Sequence, residues 1–289
     1  RSMGCVKTAA AGSGVGAMGA DLEAEQGKDP PCLDPTVRPG PCNRAIARSV
    51  SPWLSDLAGA WIFYSVLPAW PWPSPRFQRI ARFASWIGLV IGAIQALLCW
   101  GLLQFGWTMS AAAPMVIALG IWLSGGLHHD GVMDTADGLA AGPERCLEAM
   151  EDSRVGASGV LALVMVLMLQ LGALVQLGSA APAALVTVGV WSRVAPLWAM
   201  ARFPYLRRDG TAGFHRRHGR PRWDALPSGV VLLILCLVLN PVMLLAGAPV
   251  ALVVAEGLGR RLGGHTGDSY GAVLVLTETF TLVLLALTR

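Results

Sequence analysis

Residues 83–129 read FASWIGLVIGAIQALLCWGLLQFGWTMSAAAPMVIALGIWLSGGLHH, and none of them is Asp, Glu, Lys or Arg. A helix needs about 20 predominantly apolar residues to cross a hydrocarbon core about 30 Å thick. This run is long enough for two spans joined by a tight turn. The same pattern recurs at 155–192, again long enough for two spans, and at 225–255 and 279–288. The 225–255 run is short for two, and Asn240-Pro241 near its middle predicts either a hairpin of short or tilted helices or one long broken helix. Of the 289 residues, 54% are hydrophobic and 14% charged. A soluble domain carries about a quarter of its residues as charged side chains, so this chain lacks the charge to cover a water-facing surface. Mean hydropathy is +0.55. These figures exclude a disordered protein, a disulfide-rich secreted domain and an ordinary cytosolic enzyme. The expected fold is all-α: a polytopic integral membrane protein.

Working outward, residues 1–50 are a different kind of sequence, rich in Gly, Ala and Pro and without apolar periodicity. They are expected to be a flexible tail, with no secretory signal. Residues 51–289 are expected to form a single membrane-embedded catalytic domain. The six cysteines (Cys5, Cys32, Cys42, Cys99, Cys146 and Cys236) are scattered, with neither C-x-x-C pairs nor zinc spacing. Trp53, Trp70 and Trp72 bracket the first apolar segment as interfacial tryptophans do. If each charge-free run is a hairpin, segments 76–82, 128–154, 202–222 and 260–268 emerge on one side. Three of them are Arg-rich, which places that side in the cytoplasm. The expectation is about seven transmembrane helices in the cell inner membrane, with the polar catalytic loops on the cytoplasmic face. A channel or transporter more often carries ionisable groups on the spans themselves; here most lie at the span ends, and the exceptions Arg193 and Glu278 are open to a structural reading.

The most informative polar segment follows the first hairpin: Gly125-Gly126-Leu127-His128-His129-Asp130-Gly131-Val132-Met133-Asp134-Thr135-Ala136-Asp137-Gly138. Asp130, Asp134 and Asp137 stand at i, i+4, i+7, which projects all three carboxylates from one helix face within two turns. Such crowding of like charge costs a few kcal/mol per pair at an intermediate dielectric, by order of magnitude, and a cation among them relieves it. Oxygen ligands select Mg²⁺, Mn²⁺ or Ca²⁺. Mg²⁺ takes one or two protein carboxylates and completes its shell with water and phosphate oxygens. A solvated acidic face does not predict such a triad at the mouth of a membrane helix. An EF-hand fails because Met133 and Thr135 occupy its first two ligand positions.

Four further groups lie on the same face. Asp152 and Arg154, just before a span, can supply a further metal ligand and a phosphate clamp, or merely cap a helix and anchor it at the interface. The turn Gly263-Gly264-His265-Thr266-Gly267-Asp268 precedes the last span; Gly264, Thr266 and Gly267 can cradle a phosphate with backbone N–H groups. His128 and His129 can act as general base or steer a phosphate, or support an aspartate from behind. The arginines of 202–222 can hold an anionic nucleotide or simply fix topology; topology is the expectation.

Taken together, the Gly125–Leu139 segment, Asp152-Ser153-Arg154-Val155-Gly156 and Gly263–Ala272 resemble cobalamin synthase, the adenosylcobinamide-GDP ribazoletransferase family of coenzyme B12 assembly. Phe63-Tyr64, with Leu67-Pro68 after it, is similar to that family's first helix, and the likeness covers roughly residues 55–289. His129 departs from the pattern, standing where an apolar residue is expected. The resemblance implies a Mg²⁺-dependent transfer. A ribose hydroxyl of α-ribazole, or of its 5′-phosphate, attacks the cobinamide-side phosphorus of adenosylcobinamide-GDP, and GMP leaves. It implies Asp130, Asp134 and Asp137 as metal ligands on the diphosphate, and Asp152 and Asp268 as a further ligand or general base. It also implies Arg154 as a phosphate clamp, and His128, Gly264, Thr266 and Gly267 on the substrate. Membrane lipid is the expected surround and nucleic acid is not an expected partner; other membrane enzymes of the corrinoid pathway are candidate neighbours.

Three alternatives use similar features. A CDP-alcohol phosphotransferase would show an Ala-Arg element that is missing from this motif. A prenyltransferase would release diphosphate rather than GMP. A non-enzymatic transporter would carry more charge inside its spans.

Overall fold

The computed structural model describes residues 51–207, Gly213 and 218–289. The expected tail at 1–50 lies outside them, as do Arg208, Arg216 and Arg217 of the basic stretch. The described residues form twelve α-helices and no β-strand. In chain order these are α1 (Pro52–Tyr64), α2 (Ala84–Gln104), α3 (Met109–Leu123), α4 (Leu127–Ala140), α5 (Cys146–Ala149) and α6 (Ala157–Leu177). They continue with α7 (Ala181–Arg202), α8 (Pro221–Asp224), α9 (Leu226–Cys236), α10 (Pro241–Leu245), α11 (Gly247–Leu262) and α12 (Gly267–Leu287).

By length and composition, four stretches can cross a membrane: Ile80–Gln104, Ala157–Arg202, Pro241–Leu262 and Gly267–Leu287. A fifth is α3 continued into α4, bent by 90° at the break. The stretch Ala157–Arg202 is itself divided at Gly178, whose φ of 55° lies in the left-handed region that favours glycine. Both halves pack against α12. Leu174 and Leu177 share one core cluster with Ala181, Ala184 and Leu285, whereas Val166 shares another with Ala195, Ala199 and Val273. The 225–255 run takes the broken form, with α9, α10 and α11 interrupted around Asn240-Pro241. Asn240 Oδ1 accepts from the Val242 N–H and so starts α10. The sequence estimate of about seven divides every long run in two, whereas length and composition qualify four stretches, or five with the bent pair.

Helices in lipid gain little from apolar burial against one another, so close backbone approach does more of the packing. Gly88-Leu89-Val90-Ile91-Gly92 on α2 meets Gly189 on α7 in this way. A Cβ on Gly189 would stand 2.5 Å from the Gly88 carbonyl oxygen, and one on Gly92 would stand 2.7 Å from that of Leu185. At the polar end, Asp56 is fully buried and paired with Arg76 (2.6 Å) and Arg82, while buried Asp224 pairs with Arg79 (2.6 Å). The arginines of 76–82, read from sequence as topology markers, thus also fasten α1 and α8 to the start of α2.

Candidate active site

Two glycines decide where the acidic helix points. Gly125 (φ 66°) and Gly126 (φ 73°) both adopt left-handed backbone, which costs other residues about 1 kcal/mol or more. The chain leaves α3 through them and starts α4 at 90° to it. The acidic helix therefore runs across the end of the bundle instead of continuing into it. Asp130 is exposed, while Asp134 and Asp137 are half-buried.

Helix α4 lies against the first turns of α12. Gly131 makes the approach feasible: a Cβ there would sit 2.5 Å from the Asp268 carbonyl oxygen. One turn on, Gly271 faces the backbone of His128. The contact brings Asp268, distant in sequence, into the field of the α4 aspartates. Burial first, then neighbouring Asp130 and Asp268 and more weakly Asp137, together push the Asp134 carboxyl up to about 7 against the lowering effect of Arg207.

Asp137 has a task that spacing did not reveal. Its Oδ2 accepts from Gly156 N–H and its Oδ1 from Gly159 N–H, both at 2.8 Å. It thereby satisfies two of the donors left open at the start of α6, where the helix dipole also favours a negative charge. The absence of a side chain at Gly159 admits the carboxylate, since a Cβ there would stand 2.5 Å from Oδ2. Among the described residues, no three His, Cys, Asp or Glu side chains gather closely enough to enclose a metal ion.

The glycine turn before α12 is also committed. A short parallel bridge pairs Tyr205 with His265. In it, His265 N–H donates to Pro204 O (2.9 Å) and Leu206 N–H donates to His265 O (2.8 Å). Gly264 leaves room for Leu206 and the Pro204 carbonyl, which fill the space a phosphate would need. Thr266 is fully buried and forms a capping box with Ser269, so its hydroxyl is consumed by the helix start. Gly267 is half-buried at the first position of α12 and lines the cleft described below.

That bridge delivers a residue not singled out from the sequence. Arg207 Nη1 lies 2.9 Å from Asp268 Oδ2, and its Nε lies 3.3 Å from Glu151 Oε1. Arg207 Nη2 is buried without a hydrogen-bond partner among the described residues. The signal was the basic stretch 202–222, read as marking topology. Arg154, by contrast, is 87% exposed and binds its neighbour Asp152 through both carboxylate oxygens. The arginine hydrogen bonds hold Asp152 down to about 2. Among the described residues, no hydrogen bond or ion pair links that pair to the α4 aspartates.

Beside Asp268 opens a cleft of about 700 Å³ including its mouth. Its walls are mostly apolar, with Phe63, Tyr64 and Tyr270 contributing rings, and Gly267, Asp268 and His128 also line it. His128 is buried in this lining, and its Nε2 has no hydrogen-bond partner among the described residues. Further inside, a smaller polar chamber is lined by Gln95, Ser124, His129, Gln170, Arg193 and Glu278. There the two charges inside the spans pair with each other, Arg193 Nη1 to Glu278 Oε2 at 3.4 Å, as the structural reading of them expects.

The residues present suit a divalent cation of the open kind. Asp130, Asp134 and Asp268 crowd negative charge at a rim, without a closed cage. Mg²⁺ commonly completes such a shell from substrate phosphates and water.

Comparison with known proteins adds the following. The model of a family described as cobalamin-5-phosphate synthase matches residues 56–286. An adenosylcobinamide-GDP ribazoletransferase of Prochlorococcus marinus (strain MIT 9303) is 59% identical over 250 residues, covering 81% of this chain and 96% of the relative. Proteins of the same description from Thermosynechococcus vestitus (43% identical; 80% and 94% covered) and Trichormus variabilis (37%; 81% and 97%) also match. No solved structure matches.

Proposed function

This chain belongs to the cobalamin-5-phosphate synthase family, and from that premise we propose that it joins adenosylcobinamide-GDP to α-ribazole or α-ribazole 5′-phosphate. A ribose hydroxyl attacks the cobinamide-side phosphorus, a P–O bond forms to it, and the bond to GMP breaks. The hydroxyl proton passes to a carboxylate, and GMP departs with the electron pair. The transfer takes place in the inner membrane at the cytoplasmic face, where both polar substrates arrive. The observation that carries this reading is the convergence of Asp130 and Asp134 on α4 with Asp268 and Arg207, across the Gly131 contact.

Phosphoryl transfer asks the protein mainly for positioning and charge neutralisation. Asp130 and Asp134 are the residues to hold Mg²⁺, which when bound would neutralise charge on the diphosphate. Asp268 borders both the acidic rim and the cleft, so it is suited to take the proton from the attacking hydroxyl. Arg207, with one nitrogen on Asp268 and another without a partner among the described residues, is better placed to clamp a phosphate than exposed Arg154. Asp137 supports the site from behind, fixing the start of α6 against the acidic helix.

The test is protein in liposomes with adenosylcobinamide-GDP, α-ribazole and Mg²⁺. Expected is GMP release that requires both substrates and the metal, and that falls by several hundred-fold or more in Asp134→Asn while the protein keeps its thermal transition. Diphosphate release, GMP release without the nucleoside, or wild-type rates from Asp134→Asn would overturn the reading.

A further inference from the structure

We infer that the His265 side chain is a positioning residue for the phosphate clamp: its ring joins the segment that ends in Arg207 to the start of α12, and so holds the guanidinium beside Asp268. The inference rests on the proposed role of Arg207 as that clamp.

The backbone gives Arg207 only a narrow anchor. The bridge between Tyr205 and His265 stands alone among the described residues. Two hydrogen bonds make it, from His265 N–H to Pro204 O and from Leu206 N–H to His265 O. An extended segment pinned at one point can pivot about it. Arginine is also long and rich in rotamers, so the 2.9 Å contact of its Nη1 with Asp268 Oδ2 needs a fixed origin.

The His265 ring supplies what the bridge lacks. It is fully buried and packed on two sides by other rings. Phe203 meets it edge to face, with centroids 5.5 Å apart and planes at 75°. Tyr270 stacks on it at 5.3 Å and 20°. Phe203 precedes the bridge and is itself seated on α11, where Gly259 makes room: a Cβ there would stand 2.5 Å from its ring. Tyr270 lies in the first turn of α12 and also carries the Tyr205 ring, at 6.1 Å. His265 thus sits where the Arg207 segment, α11 and α12 meet. Its Nδ1 shares a 3.0 Å hydrogen bond with Ser269 Oγ, which also accepts the Thr266 N–H at 2.8 Å. The cap that starts the helix bearing Asp268 therefore also orients the ring.

Ordinary core filling does not ask for this residue. An apolar side chain would occupy the space without the desolvation cost of an imidazole, but it would forgo the bond to Ser269. Full burial also leaves His265 no surface with which to meet substrate, so it acts through Arg207.

The experiment is a double-mutant cycle on the protein in nanodiscs, read as the Kd for adenosylcobinamide-GDP without acceptor and as KM for both substrates. An aromatic contact is worth about two- to twelvefold in an equilibrium. Losing both in His265→Ala should raise the Kd and KM for adenosylcobinamide-GDP by about fivefold or more and leave the KM for α-ribazole within twofold. Arg207→Met should mask that loss. The double variant should match Arg207→Met within twofold, whereas independent effects would multiply to about fiftyfold or more. Phe203→Leu keeps apolar bulk but removes one ring contact. It should show the same masked pattern at about fourfold, and it carries the cycle if His265→Ala fails to fold. Leu177→Ala, buried in the other core cluster, should lower the thermal transition without moving either KM.

Effects that multiply overturn the inference. So does a KM for adenosylcobinamide-GDP that Arg207→Met raises and His265→Ala does not, or one that Leu177→Ala raises equally. All three leave the proposed function standing. A KM indifferent to Arg207→Met removes the clamp and this inference with it, while GMP release still decides the transfer. The masked pattern in Kd without GMP release keeps the positioning role and removes the proposed transfer.

Discussion

Replacing Gly131 with Ala should damage catalysis through geometry alone, since glycine contributes no side chain to the chemistry. The added Cβ would lie 2.5 Å from the Asp268 carbonyl oxygen. Carbon–oxygen contacts between backbones settle at about 3.3 Å or more, so α4 and the start of α12 must separate by about 0.8 Å. Both partners are helix backbone, and neither can swing aside as a side chain would. Overpacking of this kind costs about 1–3 kcal/mol. The separation moves Asp130 and Asp134 away from Asp268 and Arg207, and a misplacement near 1 Å can cost about 100-fold in rate. GMP release by Gly131→Ala should therefore fall between 10- and 100-fold, chiefly in kcat. The thermal transition should drop by several degrees, at about 2–4 °C per kcal/mol for a domain of this size. The matched control is Gly172→Ala on α6, where a Cβ meets nothing within 4 Å. That variant should keep full activity and gain slightly in stability, because Ala outranks Gly in helices by about 1 kcal/mol. Wild-type kcat in Gly131→Ala would refute the argument that the α4–α12 contact sets the site.

Further outcomes follow from the same geometry. Arg207→Met should raise the KM for adenosylcobinamide-GDP at least tenfold, whereas Arg154→Met should change it less than threefold, because an exposed ion pair contributes little; the two Michaelis curves decide it. Asp137→Ala strips the start of α6 of its acceptor and should cost about 1–2 kcal/mol, read as a lower thermal transition with the Mg²⁺ requirement unchanged; a changed Mg²⁺ requirement at constant stability would make Asp137 a ligand instead. Asp134 is raised from 3.8 to about 7 without a cation, so below that pH it is mostly protonated, and a metal must displace the proton to bind. The Mg²⁺ concentration for half-maximal rate should thus rise as pH falls from 8 to 6, and Asp134→Glu should shift that dependence; a pH-independent requirement would count against Asp134 as ligand.

Much of this protein was legible in the chain itself. Charge-free runs such as 83–129 announce membrane helices because hydrocarbon penalises every unpaired charge and rewards only length and apolarity, both of which are local properties. The positions of Asp130 and Asp134 on one face also follow from helical periodicity alone. Family motifs pointed to the transfer, and the relatives agree in what they are described to be. Periodicity, however, fixes only the direction in which a side chain leaves its own helix and says nothing of what arrives from elsewhere. Asp137 shares the acidic face by spacing yet is taken by the α6 N-terminus, because Gly156 and Gly159 let a carboxylate reach their N–H groups. Thr266 and Gly264 look like a phosphate cradle until the 204–206 segment and the α12 cap occupy them. Asp268 and Arg207 join the site only because Gly131 lets two helices touch and a two-residue bridge pins the chain at His265. The cleft, likewise, exists only between helices far apart in sequence. Local chemistry therefore determined the fold class and supplied the candidate residues, and the meeting of distant backbones decided which of them face one another.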